Sequence, residues 1–389
     1  MATLPPEIIV DILLRLPVKA LLRFRCASKP WCALIDGPNF IKMHLNRSIE
    51  HNAHHSLILI GWYLYSVDMD TLDEAVQLDH PLKNEEFGTE VLGSCNGLLC
   101  LAVGIYDIVL WNPSTRKLRT VPFALMEFMM DSFTISQFPM YGFGYDYARD
   151  DYKLVRMVQL CGEDDDSFDS HVKVYSLKTN SWKRVRDCPF CFRYEGICGN
   201  NGMLACGALH WLGFRRLVSD TTELIVAFDI ALEDYREVLQ PEYLDENFQM
   251  SLGVLGGCLC VICNYHGVRV DIWVMKEYGV KESWNKLFSV SQPEASLSFE
   301  QLRPLAYSRS GREVLLEQNN KKIIWYDLEK KRVRDVQIHG SPRSIKAEIC
   351  FGSLVPLNGD GRIDGKKQQA QEKKKKRDDF LSVGFKLVL

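Results

Sequence analysis

The stretch Leu4–Trp31, LPPEIIVDILLRLPVKALLRFRCASKPW, decides how the rest of the chain is read. Pro5 and Pro6 suit the first turn of a helix, where no backbone donor is needed, and Ile8, Ile9, Ile12, Leu13 and Leu16 follow at spacings of three and four. Pro17 stops that helix. Val18 opens a second, with Leu21, Leu22, Phe24 and Cys26 apolar and Lys19, Arg23 and Arg25 interleaved, and Pro30 ends it. A third apolar group, Trp31, Leu34 and Ile35, precedes a turn at Asp36-Gly37-Pro38. Helices this short do not stand alone in water, because the cost of nucleation must be offset by tertiary burial. Their hydrophobes occupy more than one face, which suits a segment with two sets of contacts, its own small bundle and an external groove.

With its leading Leu4-Pro5, the central Ile12-Leu13 and Arg15-Leu16-Pro17, then Lys19, Leu21, Arg23 and Ser28-Lys29 before Trp31, the stretch resembles the F-box. It departs from that pattern at Ala27, where a larger aliphatic is usual, and at Pro30, where a polar residue is common. The resemblance implies docking on a Skp-type adaptor, which joins an F-box protein to a cullin and so to a ubiquitin-transfer machine. Carried over by position, it assigns the adaptor face to Leu4, Pro5, Ile9, Leu13, Leu16, Pro17, Leu21, Leu22 and Trp31. The competing reading, a helical cap over one end of a larger domain, does not explain the match in order and spacing.

A chain of 389 residues exceeds one ordinary domain, and 47% apolar with 25% charged content lies in the globular range. The net charge of −3 is unevenly divided: +4 over residues 1–47, +5 over 362–389 and therefore −12 between them. Basic ends on an acidic body argue against nucleic acid as the body's partner. Glu7 and Asp11 interrupt what would be the apolar run of a signal peptide, and no run reaches the roughly 18 apolar residues that cross a membrane, so the protein is expected inside the cell. Thirteen cysteines there are expected to be reduced, mostly as small buried hydrophobes.

From about His51 onward short alternating strands bounded by Gly, Asn and Asp dominate. A strand ending in an aromatic, then a polar turn, recurs as LYSVDMDTL, VLWNPSTRKL, KVYSLKTNSW, VAFDIALEDY, DIWVMKEYGVKESW and IWYDLEKKRV, with anchors Tyr65, Trp111, Tyr175, Phe228, Trp273 and Tyr326. The anchors are 46, 64, 53, 45 and 53 residues apart, and six copies over 48–360 average about 52, close to the roughly 50-residue kelch-type period. A second element, a Gly or Asp turn opening an apolar strand, accompanies them in NGLLCL at Asn96, ARDDYKLVRM at Ala148, NGMLACGALHWL at Asn201, GGCLCVIC at Gly256 and SGREVLLEQ at Ser310. Together these predict four-stranded blades and a six-bladed β-propeller, with five or seven blades also compatible. The body further resembles the plant F-box-associated domain, in the pairing of Val109–Thr115 with Tyr141–Asp146 and Asp151-Tyr152-Lys153, and in the run from Gly253 through Trp273 to Trp284. The chain is thus expected to be mainly β: a three-helix F-box over 1–47, a propeller over 48–360 and a basic disordered tail over 361–389.

Propellers bind partners through loops on their faces. The longest anchor interval holds PFALMEFMMDSFTISQFPM, Pro122–Met140, whose methionines and phenylalanines make an adaptable apolar surface. Met126, Phe128, Met129, Met130 and Phe133 are therefore candidate substrate contacts, against the alternative of a strand and covering loop of a blade. In the tail, Lys366, Lys367, Lys373, Lys374, Lys375, Lys376 and Arg377 form a basic run that reads as a nuclear import signal or as a solvated tail. Cys188/Cys191 and Cys260/Cys263 have CxxC spacing but lie too far apart for a zinc ribbon and lack a βαβ setting for redox work. Gly142 and Gly144 begin a GxG that Tyr145-Asp146-Tyr147 does not complete as a phosphate loop. His51, His54 and His55 read as a solvated linker. No catalytic set, metal or cofactor is expected.

The resemblance implies a non-catalytic substrate receptor of a Skp/cullin/F-box ubiquitin ligase, present in cytoplasm and nucleus, with plant immune receptors or their partners as targets and restraint of defence as the outcome. Two other readings stand beside it. One is an enzyme on a kelch-like propeller, which would need a ring of His and Tyr metal ligands, and the other is a scaffold that uses the F-box without ligase activity.

Overall fold

The computed structural model describes residues 5–357 except 52, 84–87, 105–106, 125–134, 137–138, 162–167, 193–200, 216–221, 244, 246 and 293–298, and the backbone alone at 135–136 and 160–161. Leu4, the insert positions Met126, Phe128, Met129, Met130 and Phe133, and the whole basic run from Lys366 to Arg377 lie outside the described residues.

Four helices open the chain: α1 Pro6–Leu14, α2 Val18–Phe24, α3 Lys29–Ile35 and α4 Pro38–Glu50. The fourth, of 13 residues, is one more than the periodicity suggests. Pro38 occupies its first turn, where a missing N–H costs nothing, rather than marking a stop. Its inward face carries His44 and Ser48 beside Phe40 and Leu45, and the two polar residues conceal the apolar period. Pro30 likewise sits in the first turn of α3, behind Ser28, whose hydroxyl accepts from the Trp31 N–H at 3.3 Å and caps the helix. Leu13, Val18, Leu21, Ile35 and Phe40 form the bundle's core, together with Leu354 from the far end of the chain.

Six antiparallel sheets follow. Blade 2 runs Thr89–Cys95, Leu98–Val103, Asp107–Asn112 and Lys117–Thr120 from the centre outward. Blade 3 runs Met140–Asp146, Asp151–Cys161, Phe168–Ser176 and Ser181–Arg184, and Ile135–Ser136 adds a short pairing to the end of its second strand. Blade 4 is Met203–Ala205, Ala208–Gly213, Leu224–Asp229 and Asp234–Val238; blade 5 is Gln249–Leu255, Cys258–Tyr265, Arg269–Met275 and Trp284–Ser291; blade 6 is Leu302–Tyr307, Glu313–Gln318, Lys322–Asp327 and Arg332–Asp335. Blade 1 combines His55–Ile60, Leu64–Asp68 and Ala75–Gln77 with an innermost strand, Lys346–Phe351, from the C-terminal side. That strand pairs from His55↔Phe351 to Ile60↔Lys346 and closes the ring. All six aromatic anchors fall on the third strand of their blades.

Alternation along each strand explains why the runs look uniformly apolar. In Leu98–Val103 every residue is buried, with Leu98, Cys100 and Ala102 in the core shared with blade 3 and Leu99, Leu101 and Val103 in the core shared with blade 1. One such cluster fills each of the six interfaces between neighbouring blades. Blades meet closely at Gly142 and Gly144, where an added Cβ would run into Leu209 and Trp211, or into Leu204 and Ile230, of blade 4. Packing, not phosphate, accounts for that GxG.

The polar turn after three of the six anchors is also a repeated device. Asn112, Asp229 and Asp327 each accept from the N–H groups two and three residues on, and the fifth residue, Arg116, Glu233 or Lys331, takes a positive φ. Between blades 3 and 4 the Lys153 ammonium is buried between Asp146 at 2.7 Å and Glu233 at 2.8 Å. Between blades 6 and 1, Arg303 pairs with Glu317 at 2.6 Å and Glu348 at 3.4 Å and donates to the Ala347 carbonyl, reinforcing the closure.

Candidate functional site

The ring has two unlike ends. Each innermost strand runs toward the end where the helices sit, so the turns between first and second strands, and between third and fourth, lie on that end. Contacts fix the assignment: Lys42 of α4 pairs with Asp150 in the first turn of blade 3 at 3.3 Å, and Val18 approaches Gly352, just past the closing strand. The links between second and third strands and from blade to blade therefore run at the opposite end. There the connection between Thr120 and Met140 leaves and returns. Met140 itself is buried between blades 3 and 4, so the insert's last residue belongs to the core.

At the helical end, the positions assigned by resemblance separate into three groups. Leu13 and Leu21, 2% and 0% exposed, are core residues of the bundle. Ile9, Leu16, Leu22 and Trp31 are half-buried, and Pro5 and Pro17 are exposed. On α1 to α3 the large apolar side chains that do face solvent are Ile8, Ile12 and Phe24, and Met43 and Ile49 of α4 are exposed as well. Ile8 and Ile12 stand one turn apart on α1 with Pro5 a turn before them, and Phe24 packs edge-on against Trp31 with ring centroids 5.5 Å apart. Arg15 pairs with Asp11 at 2.7 Å and Arg25 with Asp36 at 2.6 Å around these patches. The arrangement can bury apolar surface in a groove with charged residues at its rim. Ile8 and Ile12, the second apolar stripe of α1, carry a signal in the sequence that assignment by position, which takes Ile9 and Leu13 on that helix, leaves out.

At the opposite end, Trp62, Phe123, Leu239 and Val268 are exposed in four different connections. Near the axis, Asn201 at the entry to blade 4 donates to the Glu90 carboxylate of blade 2 at 3.0 Å, a reach across blade 3 that only the centre of the ring allows. Burial pushes the Glu90 carboxyl above its ordinary range, with the Asn201 hydrogen bond and Lys346 opposing.

The cysteines of the two CxxC pairs are packing groups. Cys260 enters the core between blades 5 and 6 and Cys263 the core between blades 4 and 5, on opposite faces of one sheet. Burial pushes the Cys188, Cys260 and Cys263 thiols up to about 12, far from a nucleophilic thiolate. Of the histidine group only His51 is exposed: His54 stacks on His44 at 6.3 Å and His55 meets the Phe351 ring edge-on at 4.2 Å. Among the described residues no helix is long and apolar enough to cross a membrane.

Comparison with known proteins gives two family matches, an F-box domain over residues 1–43 and an F-box associated beta propeller domain over residues 56–354. F-box protein CPR1 of Arabidopsis thaliana is 43% identical over 416 aligned positions, covering 100% of both chains. F-box protein At4g22390 of the same plant is 36% identical, again over 100% of both, and its F-box/kelch-repeat protein At3g23880 is 31% identical over 74% of this chain and 79% of that one.

Proposed function

Because the chain belongs to the family of F-box proteins that carry an F-box-associated β-propeller, we propose that it is the substrate-recognition subunit of a Skp/cullin/F-box ubiquitin ligase. One observation carries the reading: solvent-facing hydrophobes of a bundle too small to stand alone lie at one end of the propeller, and the long connections lie at the other. An adaptor covers Pro5, Ile8, Ile12, Pro17 and the Phe24–Trp31 pair, with Leu16 and Leu22 at its edge, while Leu13 and Leu21 hold the helices that present them. The target docks at the far end, with Met126, Phe128, Met129, Met130 and Phe133 of the insert among its contacts. The chemistry belongs to the other subunits. This chain holds a target lysine near the charged conjugating enzyme and so raises its effective concentration.

In this reading residues 1–47 dock the adaptor, 48–360 select the target, and the basic run from Lys366 to Arg377 directs nuclear import of a protein shared between cytoplasm and nucleus. The likeness to plant relatives extends the proposal to immune receptors or their partners as targets, and to restraint of defence.

Proximity labelling with the wild type and a Leu16→Ala/Pro17→Ala variant tests it. Partners lost by the variant are the ligase side, and partners retained and accumulating are targets. A wild type that recovers no Skp-type adaptor contradicts the reading.

A further inference from the structure

The chain continues past the strand that closes the ring. Residues 352–357 run as a strap between the helices and the propeller, and their side chains are shared out between the two. Leu354 completes the core of the bundle, while Val355 and Leu357 enter the core between blades 2 and 3, where Leu45 of α4 joins them and Ile41 packs alongside. One side chain holds two of the strap's carbonyls. Asn112, wholly buried, donates from Nδ2 to the carbonyls of Ser353 at 3.1 Å and Val355 at 2.9 Å, and its Oδ1 accepts from the N–H groups of Ser114 and Thr115. The Ser353 N–H donates to the Ser114 hydroxyl at 3.3 Å. On the other side Gly97, at φ +78, gives the strap room: a Cβ there would meet the Ser353 side chain and lie 2.5 Å from the Phe351 carbonyl oxygen. Gly352 donates to the His54 carbonyl at 2.9 Å, which ties the strap to the linker between the two units.

We infer that Asn112 is a positioning residue: by pinning the strap 352–357 it fixes the F-box helices against the propeller, and so fixes the separation between adaptor and target. The observation behind it is the division of one six-residue segment between two cores, locked by a side chain whose four hydrogen bonds are all made inside the protein. A hinge at this joint would spread the target lysine over a larger volume and lower its effective concentration at the conjugating enzyme. The role in transfer rests on the receptor reading above; the joint does not.

Asn112→Asp separates the two functions of the side chain, because it keeps the acceptor that caps the turn and replaces the donor with an oxygen facing two carbonyls. Hydrogen exchange of the full chain is expected to show α4 and residues 352–357 exchanging about tenfold faster or more, the factor that corresponds to about 1.4 kcal/mol of local stability, with protection in blade 5 unchanged. Wild-type exchange over α4 and 352–357 overturns the joint. Leu354→Ala, which acts from the bundle side, is expected to loosen α1–α4 in the same way; if Asn112→Asp also disturbs blade 5, wild-type exchange of α1–α4 in Leu354→Ala is the overturning result. In a complex reconstituted with a Skp-type adaptor and a cullin, self-ubiquitination of Asn112→Asp is expected to slow and to spread over more lysines while adaptor affinity is unchanged. An unaltered rate and lysine pattern removes the positioning role. If the wild type binds no adaptor, the receptor reading and the role in transfer fall together, and the exchange result still decides the joint.

Discussion

Ile8 and Ile12 precede Ile9 and Leu13 by one residue each, and one residue is a rotation of about 100° around a helix. That rotation separates two jobs on α1. Leu13, with Leu21 opposite, fills the bundle core, so Leu13→Ala or Leu21→Ala is expected to cost about 2–5 kcal/mol and to lower the melting temperature of the helical unit. Ile8→Asp/Ile12→Asp changes only solvent-facing positions and is expected to leave melting nearly unchanged while weakening adaptor binding at least about tenfold, as loss of apolar burial in a docking groove does. Calorimetry on the free chain and titration with adaptor read the two effects separately. Histidines set a second residue-scale behaviour. Burial pushes His55 and His210 down to about 4 and also lowers His44 and His80. The unfolded chain therefore takes up protons near pH 6.5 that the folded chain refuses until near 4, and stability is present above that window and lost as pH falls through it. His210 alone accounts for an effect on the order of 3 kcal/mol. Urea unfolding at pH 7 and pH 5 is expected to show the loss, and His210→Gln to reduce its slope.

At the scale of elements, the repeated aromatic and its polar turn were readable because both answer to local rules: the anchor needs burial on a third strand, and the turn needs an Asn or Asp that can hold two backbone N–H groups. Helix α4 was hidden because His44 and Ser48 face inward there and satisfy themselves on backbone carbonyls, His44 on Leu16 at 2.8 Å and Ser48 on His44 at 2.9 Å. No apolar period records that. His55 reads as solvated for the same kind of reason, since its stacking against Phe351 depends on a residue nearly 300 positions away. Between elements, Lys153 is a charge almost wholly enclosed by its partners. Lys153→Met leaves Asp146 with Arg149 and Glu233 with Lys183, so the loss is expected near the lower end for a broken buried pair, about 3 kcal/mol by denaturant titration, and Asp146→Ala is expected to cost at least as much because it removes one of the ammonium's two carboxylates together with the acceptor of the Ala148 and Arg149 N–H groups.

For the whole molecule, closure is where chain ends meet: the last strand completes the first blade, Arg303 and its two glutamates bind blade 6 to it, and the strap carries the closure on into the helices. A chain truncated after Gly340 is expected to lose the innermost strand of blade 1 and cooperative melting with it. The division of the ring into a helical end and an end of long connections was legible only in part, since a 50-residue period gives the blades but not the direction in which the first strand runs. The central claim is that the helical end docks a Skp-type adaptor. Titration of the purified full-length chain with such an adaptor tests it most directly: a one-to-one complex that Ile8→Asp/Ile12→Asp weakens at least about tenfold without loss of folding is the result expected, and a folded wild type that forms no complex, or a variant that binds as tightly as the wild type, contradicts it.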